Sequence, residues 1–140
     1  MACPLCSVSL NDIVWQDGSC RVIFADDPDY PGYCRVVWGE HVAEMSDLTP
    51  GEQRHILDVT LAVERALRAL MNPDKINLAS LGNKVAHLHW HVIARFTDDR
   101  HFPEAIWGRE QRLGLPRPRP GRAALAQRIA DELARIAAIH

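Results

Sequence analysis

The 140-residue sequence lacks any run of about 20 apolar residues, the length that a membrane-spanning helix needs. Residues 1–4 also lack the basic start and apolar stretch of a signal peptide. With 16 Lys and Arg against 18 Asp and Glu, the formal net charge is -2, so no general basic field is available to hold a nucleic-acid backbone. We therefore expect a cytoplasmic protein whose partners include neither a membrane nor a nucleic acid.

Internal repeats and low-complexity tracts are also missing, and the length fits a single domain. Hydrophobic residues make up 47% of the chain and charged residues 24%, the balance of a globular protein with a packed core. We predict a main body over residues 1–110, a Pro/Arg-rich linker over 111–122 and a C-terminal amphipathic helix of the same domain over 123–140. Four arginines of this region are interpreted as solvated linker residues rather than a phosphate site: Arg112, Arg117, Arg119 and Arg122.

Cysteine is scarce, with four residues in the chain. A disulfide framework is not expected in the cytoplasm, because that compartment keeps thiols reduced. Cys20 and Cys34 stand singly in apolar stretches and are interpreted as small core residues. Cys3 and Cys6 form a C-x-x-C pair, whose spacing is typical of metal ligands.

Residues 21–25 and 34–38 are rich in β-formers and predict two antiparallel strands. The connection between them, residues 26–32, is dense in turn formers and longer than a tight hairpin needs, so it is a candidate binding loop. A second pair of strands is predicted over residues 76–81 and 85–96.

A long helix is predicted to begin at Thr49, which is followed by Pro50 and by Glu52 at the position that closes a capping box. Asn72 and Pro73 end it. Two strand pairs, this helix and a closing helix give an α+β domain with an antiparallel sheet. The helices are recognised by apolar or small residues at a spacing of three and four: Ile56, Thr60, Val63, Leu67 and Leu70 in the first, Leu125, Ile129, Leu133 and Ile136 in the second.

Three histidines alternate with apolar residues along residues 87–93: His87, His89 and His91. On a strand all three share one face, with neighbours ~6.6 Å apart and the outer pair ~13 Å apart, so a flat strand does not easily bring all three to one metal. Isolated histidines such as His55 and His101 are more often hydrogen-bonded surface or core residues than catalysts.

A structural zinc ion needs four nitrogen or sulfur ligands, and His41 and His87 could complete a site begun by Cys3 and Cys6. Such a closed site would fasten the N-terminus to the histidine segment, contribute up to ~10 kcal/mol to folding, and leave His89 as a nucleophile or base. A pair of free thiols at Cys3 and Cys6 remains an alternative, as does a zinc shared by His87 and His89.

Residues 87–93 resemble the motif of the histidine-triad (HIT) family, in which three histidines alternate with apolar residues and two more apolar positions follow. The surroundings are similar as well: Pro31 and Gly32 before a strand, His41 after it, residues 47–49 leading into a long helix, and Asn77 upstream of Gly82. The resemblance covers about residues 3–96, and residues 101–108 look like a proteobacterial branch of the family.

The resemblance implies an α+β domain that pairs into a homodimer and acts as a nucleotide hydrolase or nucleotidyltransferase on a purine nucleotide. The substrate would be a nucleoside phosphoramidate, a dinucleoside polyphosphate or an acyl-nucleotide. By the same resemblance His89 attacks the α-phosphorus to form a nucleotidyl-histidine, and His91 touches the phosphate and assists the leaving group. Zinc-bearing relatives place two cysteines and two histidines much as this chain places Cys3, Cys6, His41 and His87.

The chemistry suits imidazole, because a neutral histidine with a pKa near ~6.5 has a free lone pair at neutral pH. Its other nitrogen must be held by an acceptor, for which we expect a backbone carbonyl. Asn83 and the backbone near Gly82 are the candidate donors to the phosphate oxygens. Asp26 or Asp27 would accept the ribose hydroxyls, with Asp27 slightly preferred and a solvated turn carboxylate as the equal alternative.

Three positions depart from the family pattern: Tyr33 replaces a common histidine, Asn83 a common glutamine and Ala94 a common proline. The shorter amide of Asn83 would change the leaving-group preference. Trp107 is expected at the nucleotide site, at a dimer interface or in the core. Two further functions stay open, namely a nucleotide-binding module with negligible turnover and a hydrolase whose catalytic zinc is held by His87 and His89.

Overall fold

The computed structural model describes residues 3–139. Within them the strands form one sheet in the order β1-β2-β3-β5-β4, and every neighbouring pair is antiparallel. The predicted α+β class, with an antiparallel sheet, one long helix and a C-terminal helix, is confirmed. The elements are β1 (Ile13–Gln16), β2 (Cys20–Phe24), β3 (Tyr33–Trp38), α1 (Pro50–Met71), β4 (Lys75–Ala79), β5 (His89–Arg95) and α2 (Arg122–Ile139), with short 3-10 helices at Leu10–Asp12 and Met45–Asp47.

The strand β1 was not predicted. It is four residues long and is joined to β2 by a tight turn at Asp17, whose Oδ1 accepts hydrogen bonds from the backbone N–H groups of Ser19 and Cys20, each at 2.8 Å. So short a strand carries too few residues for a period-two pattern to stand out. The sheet therefore has five strands rather than two isolated pairs.

The strand β5 begins at His89, so the prediction that His87 stands on the same strand was wrong. The N–H of Leu88 donates to the carbonyl of Val42 at 2.8 Å, beyond the end of β3, while the N–H of Trp38 donates to the carbonyl of Leu88 at 3.1 Å. These bonds draw the segment before His89 away from a regular ladder. His87 is thereby directed to a different neighbourhood from His89.

The helix α1 begins as predicted. The Thr49 side chain accepts the N–H of Glu52 at 3.2 Å, and the Glu52 carboxylate accepts the N–H of Thr49 at 2.8 Å. Four of the five expected core positions are buried, but Leu70 is 42% exposed, and Met71 packs against the core in its place. The helix ends at Asn72 in a left-handed conformation, with φ 48°. No helix within residues 3–139 is both long and apolar enough to cross a membrane.

The two faces of the sheet differ in chemistry. One face packs under α1, and α2 packs on α1 and β1. Cys20 and Cys34 are buried in this core, as predicted. The opposite face, called here the histidine face, carries side chains in rows set by the strand register: Arg21, Val37 and His89 in one row, and Ile23, Arg35, His91 and Ala79 in the next.

The Pro/Arg-rich segment has neither helix nor strand before α2 begins at Arg122. Its arginines are in contact with the rest of the domain, although Arg112, Arg119 and Arg122 stay exposed as expected and Arg117 is half-buried. Arg117 forms two hydrogen bonds with Asp98, at 2.6 and 3.0 Å, and Arg119 lies 4.2 Å above the ring centroid of Phe24. Prolines remove the segment's own backbone donors, and side chains supply the attachments instead. The other two arginines donate to backbone carbonyls: Arg112 and Arg122.

Candidate active site and metal centre

Four side chains with metal-ligand chemistry meet near the start of the described chain: Cys3, Cys6, His41 and His87. Their sulfur and nitrogen atoms all lie within 4.8 Å of one another. The Nδ1 atom of His87 is 3.5 Å from the Cys3 sulfur and 3.4 Å from the Cys6 sulfur, and the Nδ1 atom of His41 is 3.2 Å from the Cys6 sulfur. The structure thus brings together the four residues that the sequence grouped.

The ring of His87 is oriented by its second nitrogen. Its Nε2 lies 2.5 Å from the carbonyl oxygen of Trp38, so Nε2–H donates to that carbonyl and Nδ1 presents its lone pair to the thiols. Burial lowers the pKa of His87, an effect that the Trp38 bond only partly opposes. A neutral imidazole with its far nitrogen held by a backbone carbonyl is the usual form of a metal-binding histidine.

The pKa values of the two thiols are shifted in opposite directions. Desolvation acts to raise the pKa of Cys3, but hydrogen bonds from the Leu5 backbone and from Cys6 outweigh it, and the pKa lies below its ordinary value. Desolvation and the adjacent Cys3 raise the pKa of Cys6. Leu5, between them, is buried in a small cluster with Ile23 and Val37 and anchors the C-x-x-C turn to the histidine face. Two sulfurs and two imidazole nitrogens in this arrangement match the ligand set of a structural zinc site.

His89 is held in the way expected of a nucleophilic imidazole. Its Nδ1 lies 2.6 Å from the backbone carbonyl oxygen of His87, and the residue is only 6% exposed. Donation of Nδ1–H to this carbonyl fixes the tautomer in which Nε2 carries the lone pair. No hydrogen bond found within residues 3–139 occupies that Nε2 atom.

A zinc ion shared by His87 and His89 is not supported by these orientations. Both nitrogens of His87 are engaged, one at the thiols and one at Trp38, and the Nδ1 of His89 points to a carbonyl. The metal-type clusters found in the described part of the chain do not include His89. The geometry therefore separates His87 from the other two histidines.

His91 forms a pair with Tyr33, the residue that stands where the family often has a histidine. The Tyr33 hydroxyl lies 2.7 Å from Nδ1 of His91, and the rings of His91 and His89 are 4.8 Å apart. Burial, assisted by the neighbouring His89 and Arg35, lowers the pKa of His91 to about 4. Burial also raises the pKa of Tyr33. At neutral pH the pair is an uncharged imidazole beside a protonated phenol.

Two further side chains lie next to His91: Arg35, which was not identified from the sequence, and Trp107, for which the nucleotide site was one of three predicted locations. Arg35 is the direct neighbour of His91 on β3, and the alternation of faces along β3 would have placed it two residues beyond Tyr33 on the same face. The Trp107 ring lies 5.0 Å from the ring of His91, and Trp107 is 51% exposed. Of the three interpretations of Trp107, core packing is therefore wrong.

The candidate ribose-binding residues lie in the β2–β3 loop. Asp26 and Asp27 line a cavity of about 240 Å³ together with Tyr33, which connects this cavity to His91. Asp26 is exposed and has a left-handed backbone, with φ 58°. Asp27 is half-buried, and its Oδ1 accepts the N–H of Asp29 at 2.9 Å.

Asn83 lies in the β4–β5 connection, next to Gly82 with φ 74°. Its side chain is exposed, and no hydrogen bond found in the described chain joins it to His89 or His91. A nearer polar contact comes from Ser80, whose hydroxyl donates to the carbonyl of His89 at 2.8 Å. Ser80 was not singled out from the sequence, in which a lone serine after a strand carries no specific signal.

The two isolated histidines have ordinary partners, as expected. The Nε2 of His55 pairs with Asp17 at 2.7 Å, and the Nδ1 of His101 lies 2.5 Å from the hydroxyl of Tyr30. Asp17, His55 and Cys20 form a second cluster of metal-type side chains. Burial raises the pKa of Cys20 to about 12, which leaves its thiol protonated and a poor ligand.

Part of the chain is similar to a protein of known name. A protein named AP-4-A phosphorylase from Mycobacterium tuberculosis (strain CDC 1551 / Oshkosh) is 32% identical over 87 residues, which cover 58% of this chain and 45% of that protein. The chain thus matches less than half of that relative's length.

Solved structures of histidine triad proteins resemble the whole domain. One from Bradyrhizobium japonicum is 30% identical, with a TM-score of 0.67, and the match covers 94% of this chain and 98% of that chain. Another from Sinorhizobium meliloti 1021 is 30% identical, with a TM-score of 0.68 and coverage of 87% and 90%. The HIT domain family model matches residues 8–98. On this match, and on the histidine segment described above, the chain belongs to the HIT domain family.

Proposed function

We propose that the chain is a nucleotide hydrolase or nucleotidyltransferase that acts at the α-phosphate through a covalent intermediate on His89. The observation that carries this proposal is the bond from Nδ1 of His89 to the carbonyl of His87, which leaves Nε2 as a lone-pair nitrogen. Kinship with a family that includes nucleotide-processing enzymes, and the name of the M. tuberculosis relative, support the substrate class.

In the proposed reaction the Nε2 lone pair of His89 attacks the α-phosphorus and forms an N–P bond. The bond from phosphorus to the leaving group breaks, and its electron pair departs with that group. The His87 carbonyl stabilises the positive charge that develops on the ring. Water or another acceptor then displaces His89 from phosphorus.

His91 is proposed to assist the leaving group. With the Tyr33 hydroxyl donating to Nδ1, the neutral ring carries its hydrogen on Nε2 and can donate a hydrogen bond to the departing atom. The low pKa of His91 keeps the ring neutral above about pH 4, so this tautomer is present over the working range.

We also propose roles for the residues around the two histidines, the substrate class and the assembly. Asp27 and Asp26 receive the ribose hydroxyls of a purine nucleotide at the cavity that they line. Asn83 donates to phosphate oxygens from the β4–β5 connection, where its side chain is exposed. The substrate is a nucleoside phosphoramidate or a dinucleoside polyphosphate, and the protein works as a homodimer in the cytoplasm.

We also propose that Cys3, Cys6, His41 and His87 hold a structural zinc ion. The set of two sulfurs and two nitrogens within 4.8 Å fits this ion, and the Trp38 carbonyl supplies the support that a zinc-bound histidine needs. Such an ion would stabilise the fold and take no part in the phosphorus chemistry.

The test is intact mass spectrometry at neutral pH after brief incubation with an adenosine phosphoramidate and, separately, with diadenosine tetraphosphate. Wild type, His89→Ala and the control His55→Ala are compared, since His55 pairs with Asp17 outside the site. We expect an adenylyl adduct on wild type and on the control but not on His89→Ala. Nucleotide binding without adduct or AMP release from the wild type would instead establish a binding module.

A further inference from the structure

The arginine at the centre of the histidine face has no anionic partner among the residues that the structure describes. Arg35 is half-buried, and no ion pair found within residues 3–139 involves its guanidinium. Its observed contact is with the Tyr33 ring, whose centroid is 5.2 Å from the guanidinium carbon. By contrast, Arg95 and Arg117 each form close pairs with a carboxylate.

This cation lies beside His91, the side chain that is proposed to assist the leaving group. Arg35 and His91 are register partners on adjacent strands, which run about 4.8 Å apart. The nucleophile His89 stands in the neighbouring row, opposite Val37. His91, proposed to assist the leaving group, and the Arg35 guanidinium therefore share a row, one step along the strands from the proposed nucleophile.

The positive charge of Arg35 also contributes to the low pKa of His91, after burial and the neighbouring His89. A partly desolvated arginine without a carboxylate is unfavourable unless an anion joins it. The planar guanidinium fork matches two oxygens of a phosphate, whereas the neutral amine of a phosphoramidate offers it nothing.

We propose that Arg35 binds a phosphate of the leaving group, so that this chain prefers nucleotides whose leaving group is itself a phosphate or polyphosphate. The inference rests on the proposed function and narrows its substrate class. It assigns to Arg35 a specificity role, distinct from the attack by His89. Dinucleoside polyphosphates satisfy this requirement, and phosphoramidates do not.

The test compares kcat/KM for diadenosine tetraphosphate and for an adenosine phosphoramidate in wild type, Arg35→Gln and Arg35→Lys. Loss of charge-assisted hydrogen bonds predicts that Arg35→Gln loses about 30-fold with the tetraphosphate and less than about 3-fold with the phosphoramidate. Arg35→Lys keeps the charge without the fork and should fall between. The control is Arg65→Gln on α1, which leaves the histidine face unchanged.

Equal losses with both substrates would overturn the inference, because they would place Arg35 at the α-phosphate or in a purely structural role. A wild type that prefers the phosphoramidate would overturn it as well, and this result needs no folded variant. A wild type that forms no adduct with either compound contradicts the proposed function itself. Thermal unfolding of each variant separates lost binding from lost folding.

Discussion

The first histidine of the triplet and the two that follow it differ in what holds each ring. His87 is fully buried, with one nitrogen at the Trp38 carbonyl and the other facing two sulfurs. His89 and His91 each have a single hydrogen-bonded nitrogen, at a carbonyl and at the Tyr33 hydroxyl respectively. Histidines of one repeating pattern thus lie in two different environments. In His87 the second ring nitrogen faces the sulfurs, whereas in His89 and His91 no hydrogen bond to it is found within residues 3–139.

The largest expected effect is kinetic and belongs to His89. His89→Gln should lower kcat/KM by at least ~10³-fold, because the nucleophile is lost and the alternative attack by water is slow. The free energy of unfolding should change by no more than about 1 kcal/mol, since glutamine is polar and of similar length. Steady-state kinetics and urea unfolding measure the two effects. A stability loss as large as that of His87→Gln would contradict the distinction between His87 and His89.

For His87 we expect a large effect on the free energy of unfolding. His87→Gln should lower the free energy of unfolding by about 3–5 kcal/mol, because it breaks a buried ligand set that ties the N-terminal turn to the sheet. A chelator should shift the Tm of wild type downward and have little effect on the Tm of this variant. Cys20→Ala is the control, because Cys20 is a core thiol outside the cluster. Metal analysis that finds no bound ion in wild type would contradict the assignment.

The next effect is a dependence of stability on pH at His91. Its pKa in the folded protein is about 4, below the ordinary value of about 6.5, so the fold favours the neutral ring. This contribution is complete above about pH 6.5 and is lost as the pH falls toward 4, because the unfolded chain takes up the proton first. The loss amounts to about 3 kcal/mol. Urea unfolding of wild type and His91→Gln at pH 7 and pH 4.5 checks it, and parallel losses in the two proteins would show that His91 is not the source.

The smallest effect is expected from Tyr33→Phe. Removing the hydroxyl frees Nδ1 of His91 and lets the ring change tautomer, which should lower kcat by about 10-fold. The pH profile should change with it, because the ring is no longer held by the phenol. Tyr30→Phe, which loses a hydroxyl at His101 instead, is the matched control. Identical kcat in Tyr33→Phe and wild type would show that Tyr33 only fills space.

Much of the fold follows from local sequence signals. Thr49, Pro50 and Glu52 set the start of α1 through contacts within four residues, and the structure shows those contacts. The start of β5 could not be predicted in this way, because it depends on bonds from Leu88 to Val42 and Trp38, more than 40 residues away in sequence. Long-range pairing overrode a local pattern that continued through His87.

The candidate site likewise contains residues that the sequence identified and residues whose relevance depends on long-range contacts. The grouping of Cys3, Cys6, His41 and His87 followed from ligand chemistry and from the resemblance, and the structure places these side chains together. Arg35 was not assigned a role and Tyr33 was noted only as a departure from the family pattern, because their relevance comes from strand register. Trp107 was placed at the nucleotide site only as one of three alternatives, because its position depends on a loop that folds back to His91. A single arginine in an apolar strand looks like an ordinary exposed residue until its neighbour across the sheet is known.

The structure also explains why alanine stands at position 94, where the family often has proline. Its N–H donates to the carbonyl of Gly32 at 3.0 Å, a bond that a proline could not make. Gly32 is tightly enclosed, since a Cβ there would lie 2.9 Å from the Ala94 Cβ and in contact with Met71. The position before β3 is thus matched to two neighbours, one on β5 and one on α1.

The attachments of the Pro/Arg-rich segment show that the homologous region and the folding unit have different limits. The family match ends at residue 98, yet Arg117 and Arg119 line the cavity with Asp26 and Asp27, and Leu125 and Ile129 are buried in the core. A fragment cut at the limit of homology would lose one wall of the cavity and expose core residues of α1 to water. In this protein, a minimal folded fragment must extend well beyond the sequence that defines its family.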